Sequence, residues 1–136
     1  MPGPDGPDVI TELTELLPNT PVHVRSPGPS SWDDPGVRNA VIGHGRRVIV
    51  LCGVVTEMVV LHTALDAIAD GYQVHIPIDA FSGITPRGED ATLRRLEAAG
   101  AQITTVPGLA GDLMRDFTTS KGSAILAAVH TIATSA

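Results

Sequence analysis

Apolar residues along the chain alternate between two spacings, and the alternation divides it into elements. Val9, Ile10, Leu13, Leu16 and Leu17 recur at helical intervals after Asp8, a natural N-cap, and Pro18 ends the run. Residues 21–25 (PVHVR) read as a short strand. Residues 26–31, with two prolines and a glycine, read as loop. Trp32-Asp33-Asp34-Pro35 opens a helix, with an Asp as its cap and Pro35 in its first turn, whose inner face is Val37, Ala40, Val41 and Ile42, and Gly43-His44-Gly45 stops it. Residues 48–51 are continuously apolar, the pattern of a strand covered on both faces. After a tight turn at Gly53-Val54-Val55-Thr56 comes a helix, capped by Thr56 and apolar nearly all round. It is broken only by the stripe His62, Asp66 and Asp70, and it is closed by Gly71.

Residues 72–78 form the next strand, ending at Asp79-Ala80, and 81–86 a loop. An amphipathic helix over 89–99 turns Leu93 and Leu96 inward, and residues 101–106 give a fourth strand. A short helix over 109–117 and a last helix over 121–136 complete the chain. Alternation of strands and helices predicts an α/β fold, three-layered and Rossmann-like, with right-handed crossovers and a mostly parallel sheet of about four strands. No internal repeat or linker divides it, so residues 1–136 are expected to form a single domain, with 1–7 as a loose arm. In such folds ligands sit at the carboxyl ends of the strands, which puts the 53–56 turn and Asp79 on the candidate floor of a site.

Composition narrows the functional classes. Hydrophobic residues make up 43% and aromatic residues 3%, so the core is aliphatic. Nine basic residues against fifteen acidic give a net charge of −6, which disfavours nucleic acid and anionic membrane as partners. The amino-terminal MPGPDGPD has neither a basic nor an apolar region of a signal peptide, and no apolar run is long enough to span a bilayer, so a cytoplasmic protein is expected, and the usage of alanine, arginine and proline points to a bacterial source. A single cysteine, Cys52, excludes an internal disulfide.

Each candidate for chemistry has a plainer alternative. Cys52 is the sole thiol, but in an apolar strand it packs as a small hydrophobe unless a cation or helix terminus lowers its pKa. His62 with Asp66 could form an oriented base, or an ordinary i,i+4 pair on a wet helix face. Asp79 could bind substrate or hold a loop through backbone N–H groups. Glu57 reads as a turn residue, and Trp32 as a pocket wall or a staple. His23, His44, His75 and His130 have no ligand spacing with one another or with Cys52, so neither a metal site nor a cofactor is expected.

Several of these segments together resemble the isochorismatase-like cysteine hydrolases. Gly53-Val54-Val55-Thr56-Glu57-Met58-Val59-Val60 is similar to the family's nucleophile segment, glycine-x-x-Thr-(Glu/Asp)-x-Cys-(Val). Thr63-Ala64-Leu65-Asp66-Ala67, Gly71-Tyr72-Gln73-Val74, Asp79-Ala80, Arg95 and Ala98-Ala99-Gly100-Ala101 continue the pattern. Arg25, Ser31-Trp32-Asp33-Asp34-Pro35 and the helix near Leu113 to Phe117 look like one subgroup whose substrates are poorly defined. The resemblance runs from about Gly3 to Phe117.

It implies a catalytic set of Asp, Lys and Cys acting on an amide or related carbon, or vinyl-ether hydrolysis in members lacking the Cys. The implied nucleophile position falls on Val59 and the cationic position on Arg25, which cannot exchange a proton. Nothing corresponds to the family's first strand with its Asp, the helix after it, or the second strand. The resemblance therefore implies a subunit without the usual hydrolysis, binding a small molecule through Arg25, Trp32, Val54, Val55, Thr56, Val59 and Asp79. Alternatives are altered chemistry on a small carbonyl, amide or vinyl-ether substrate using Cys52, His62 or Arg25, and one half of a split hydrolase. Unpaired strand edges further predict a homo-oligomer or a partner chain completing the sheet.

Overall fold

A computed structural model describes residues 8–135; the expected arm over 1–7 lies outside them. The framework is a three-stranded sheet with β1 (Val48–Val50), β3 (Gln73–Pro77) and β5 (Gln102–Thr104) in the order β1-β3-β5, all parallel. The crossover helices are α3 (Leu61–Ala69) and α4 (Pro86–Ala98). A second, two-stranded parallel ladder joins β2 (Gly53–Val54) to β4 (Phe81–Ser82), at the carboxyl ends of β1 and β3. The fold is thus α/β with parallel strands, as the alternation predicts.

The core lies between the sheet and α3 and α4. Val74, Ile76, Leu96, Ala64 and Ala67 are fully buried, with Leu61 and Val60 beside them. Both helices end on glycines with positive φ, Gly71 (+85°) and Gly100 (+97°). Tyr72 N donates to Ala67 O and Gly71 N to Ile68 O, with the same pair of bonds at Ala101 and Gly100, so each helix closes in a Schellman turn and passes directly into its strand.

Upstream, α1 (Thr11–Leu16) is followed by a 3₁₀ turn, Ser31–Asp33, and by α2 (Pro35–Gly43). Asp34 caps α2, accepting from Gly36 N at 2.9 Å and Val37 N at 3.2 Å. The chain closes with α5 (Val106–Leu113) and α6 (Ser120–Ser135), which pack on each other.

The structure corrects several expectations. Residues 21–25 are not a strand: no ladder joins them to any described residue. Pro21 has no N–H to give a ladder, Val22 and Val24 stay exposed, and Arg25 folds back onto the carbonyls of Ser26 and Gly28. The main sheet therefore has three strands, and the further pairing is the β2–β4 ladder, part of it inside the expected 81–86 loop. Strand β1 is covered on one face only, with Val48 51% and Val50 42% exposed. Helix α1 starts after Ile10 without a side-chain cap, so Asp8 does not serve as one, and it buries no residue. Ile42 lies outward at 49% exposure. Pro86 opens α4 three residues earlier than the expected helix, because Thr85 accepts from Gly88 N and caps it. Likewise Thr105 caps α5 and Pro107 sits in its first turn, so that helix spans Val106–Leu113 rather than 109–117.

Candidate functional site

The site is built where β1 runs out. After Val50 the chain crosses Leu51 and Cys52 to Gly53, whose φ of +139° is accessible only to glycine at little cost. Gly53 N donates to Ala80 O, and β2 aligns with β4, Gly53 opposite Phe81. The chain then turns into a wide helical segment, Thr56–Val60, in which Val55 O accepts from Met58, Val59 and Val60 N at 3.2, 3.0 and 3.3 Å. This i,i+5 winding, a form that recurs at functional sites, leads into α3. Thr56 does not cap the helix: its side chain is wholly buried and its Oγ1 makes no hydrogen bond.

Beside the turn is a cavity of about 90 Å³ lined by Ser31, Leu51, Cys52, Val54, Val59 and Thr63. Ser31 is drawn in because its N–H donates to Thr63 Oγ1 at 2.9 Å. Three of the sequence candidates, Cys52, Val54 and Val59, meet here. Ser31 and Thr63 were not singled out as site residues. Thr63 follows Val59 by four residues, hence on the same helix face, which was a legible signal; Ser31 arrives through tertiary contact alone. Burial of part of the Cys52 side chain, and then the negative charge of Asp79, push its thiol up and favour the protonated form. Ligand pockets usually enclose 300–1,000 Å³, so this cavity suits a group of only a few non-hydrogen atoms.

The carboxylates around the turn are occupied by the backbone. Glu57 accepts from Ile84 N (2.9 Å) and Thr85 N (3.2 Å), bonds that hold its carboxyl below the usual range, that from Ile84 foremost. Asp79 Oδ1 accepts from Val106 N at 2.7 Å. Both therefore tie loops, 83–85 and 105–106, to the ends of the strands.

Trp32 is placed elsewhere. Its buried ring meets Tyr72 edge-on at 5.2 Å, and Nε1 donates to Asp70 Oδ2 at 2.8 Å. Arg38 donates to the same oxygen, and these bonds, the Trp32 one first, hold Asp70 below its ordinary value. Trp32, Arg38, Asp66 and Asp70 border a separate open cavity of about 400 Å³. The expected His62–Asp66 pair is absent among the described ion pairs, because Asp66 turns to Ser30 Oγ at 2.5 Å. Arg25 reaches neither cavity's lining: one guanidinium nitrogen donates to Gly28 O at 2.7 Å, and its Nε is buried without a partner. No described helix is long and apolar enough to cross a membrane.

A parallel α/β sheet with a cavity at the carboxyl ends of its strands defines a Rossmann-like fold, in which that end of the sheet is the usual ligand face. A family profile for the isochorismatase domain matches residues 1–107, and the chain belongs to that family, with its hydrolase fold. It is 36% identical over 115 residues to the probable hydrolase YcaC of Escherichia coli, 85% of this chain and 55% of that one. The solved E. coli YcaC, an octameric hydrolase of unknown specificity, superposes with TM-score 0.83 at 33% identity, covering 93% of this chain and 60% of the other. YcaC from Pseudomonas aeruginosa, solved with hexane-2,5-diol and covalent acrylamide, gives TM-score 0.83 at 32% identity and coverages of 91% and 62%. Nicotinamidase PncA from Bacillus subtilis is more distant, with TM-score 0.61 at 25% identity, 69% of this chain and 53% of that one. The chain thus spans a little over half the length of these relatives.

Proposed function

We propose that this chain is a non-catalytic, small-molecule-binding subunit of the isochorismatase family that works in the cytoplasm as a homo-oligomer. The observation that carries the reading is the 90 Å³ cavity at the 53–60 turn. In this reading the nucleophile position falls on Val59, a hydrocarbon that can neither attack nor relay a proton. The sole thiol, Cys52, is biased toward the unreactive protonated form by partial burial and Asp79. Glu57 and Asp79 are spent on backbone N–H groups. What remains is a small apolar pocket with the hydroxyls of Ser31 and Thr63 on its wall, suited to a compact carbonyl or hydroxyl compound. The homo-oligomer follows from the likeness to octameric E. coli YcaC and from the apolar residues left exposed on α1 and β1.

The test is release of ammonia from nicotinamide and pyrazinamide, together with intact mass after incubation with acrylamide, which is covalently bound in the Pseudomonas structure. No turnover and no adduct are expected. Turnover abolished by Cys52→Ala would establish instead the second reading, altered chemistry on the thiol, which the presence of Cys52 in the same cavity favours. Turnover unaffected by Cys52→Ala but lost in His62→Ala or Arg25→Ala would place that chemistry on those side chains.

A further inference from the structure

Residues 30–32, at the start of the Ser31-Trp32-Asp33-Asp34-Pro35 motif, are clipped to one face of α3. Ser30 Oγ donates to Asp66 Oδ2 at 2.5 Å, Ser31 N to Thr63 Oγ1 at 2.9 Å, and Trp32 Nε1 to Asp70 Oδ2 at 2.8 Å. The three acceptors stand at i, i+3 and i+7 along the helix, hence on one stripe. Ser30 Oγ also accepts from Trp32 N, which closes the turn. The Ser31 hydroxyl is the one polar group on these three side chains that the clip does not use.

Ser31 is 4% exposed and Thr63 6%, and both line the cavity of about 90 Å³ beside Cys52 and Val59. The Ser31 hydroxyl bonds to no described residue. Thr63 Oγ1 accepts from Ser31 N and donates to no described residue. The usual outlet of a helical threonine, the carbonyl four residues back, is not taken. Two hydroxyl protons thus face the cavity without acceptors on residues more than nine-tenths buried. Such groups cost stability, and folded chains leave few of them.

We propose that Ser31 and Thr63 together recognise the neutral oxygen of a compact carbonyl compound, a ketone, aldehyde or short ester, which accepts from both hydroxyls. This rests on the reading of that cavity as a small-molecule site and deepens it. A carbonyl oxygen offers two lone pairs and carries no proton, so it satisfies both donors at once. An alcohol or a primary amide brings further protons to a wall whose other side chains are the hydrocarbons of Leu51, Val54, Val59 and Val60 and the thiol of Cys52, a weak acceptor. The clip to α3 holds Ser31 in place before the ligand arrives, which lowers the ordering cost of binding. Ser31 is therefore the residue that sets specificity, and Thr63 both positions it and shares the ligand oxygen.

The test uses the full chain and a size-matched set of probes, butanone, 2-butanol and propanamide, with backbone amide signals followed by heteronuclear NMR. Butanone is expected to shift the Ser31 and Thr63 signals, and the other two to bind about fivefold more weakly, the worth of one hydrogen bond. Ser31→Ala keeps the N–H that clips the turn. It is expected to weaken butanone about fivefold and to raise the thermal midpoint of the free protein by about 4 °C, because an unpartnered hydroxyl is removed. Thr63→Val also removes the acceptor of Ser31 N, so Thr63→Ser is its control and is expected to keep the butanone affinity that Thr63→Val loses. Should no probe shift those signals, both this inference and the small-molecule reading fall. Equal affinity for the three probes, or unchanged butanone binding in Ser31→Ala, would overturn this inference alone. A lowered midpoint in Ser31→Ala would make the hydroxyl a structural group and overturn it as well.

Discussion

The half of the molecule built on α3, β3 and α4 and the half built on α1, residues 21–25 and β1 use the same kinds of residue to opposite ends. In the first, Val74, Ile76 and Leu96 have no exposed surface. In the second, Leu16 is 77% exposed, Val24 62% and Val48 51%. Helical spacing and apolar runs are equally clear in both. The difference is how far a facing element closes on each: α3 and α4 cross the sheet and seal its face, whereas α1 buries no residue and β1 leaves the side chains of Val48 and Val50 exposed. A hydrophobic pattern states that a face is to be buried and leaves open what buries it.

The comparison can be broken at its strong end first. Leu96→Ala removes a side chain with no route for its neighbours to collapse and is expected to cost about 2–5 kcal/mol, read as a fall in urea midpoint with unchanged slope; a cost under about 1 kcal/mol would deny that α4 seals the core. Trp32→Phe keeps the ring against Tyr72 but deletes the bond to Asp70. Because Arg38 still holds that carboxylate, the cost is expected to be about 1 kcal/mol in the same assay.

A smaller, pH-dependent effect separates the capped helix α2 from uncapped α1. Asp34 is lowered from 3.8 to about 2, chiefly by the Ser26 hydroxyl and then by backbone N–H groups. Its folded pKa lies below the unfolded one, so its contribution is complete above about pH 4 and is lost as pH falls through about 2. Asp34→Asn is expected to flatten the acid limb of a stability–pH curve in that window and leave its shape near neutrality unchanged. The smallest effect is at the weak end: Leu16→Gln is expected to change stability by less than about 0.5 kcal/mol at low protein concentration. A larger loss appearing only as concentration rises would show α1 buried by another copy.

Much of the interior was legible. Gly71 and Gly100 close their helices, Asp34 and Pro35 open α2, and Leu96 points inward, as propensity and period require. The strand at 21–25 was misread because alternation of Val22 and Val24 satisfies a strand pattern whether or not a ladder partner exists. The 81–86 loop hid β4 because a two-residue ladder carries no periodicity. At the site, Cys52, Val54 and Val59 were named and do meet. Arg25 and Trp32 were named with them and lie elsewhere, since a motif fixes order along the chain and not the direction in which a side chain turns.

By itself the sequence determined the parallel α/β framework and the tight turn that starts at Gly53. These follow from local rules: periodicity, caps and the conformational freedom of glycine. Only the tertiary structure decided that Glu57 and Asp79 are consumed in holding loops, that Ser31 joins Cys52 and Val59 around a small cavity, and that Val48 and Val50 keep exposed side chains on β1. Hydrogen bonding and burial there join residues some 27 to 32 positions apart, and no local pattern encodes which distant donor a carboxylate will find.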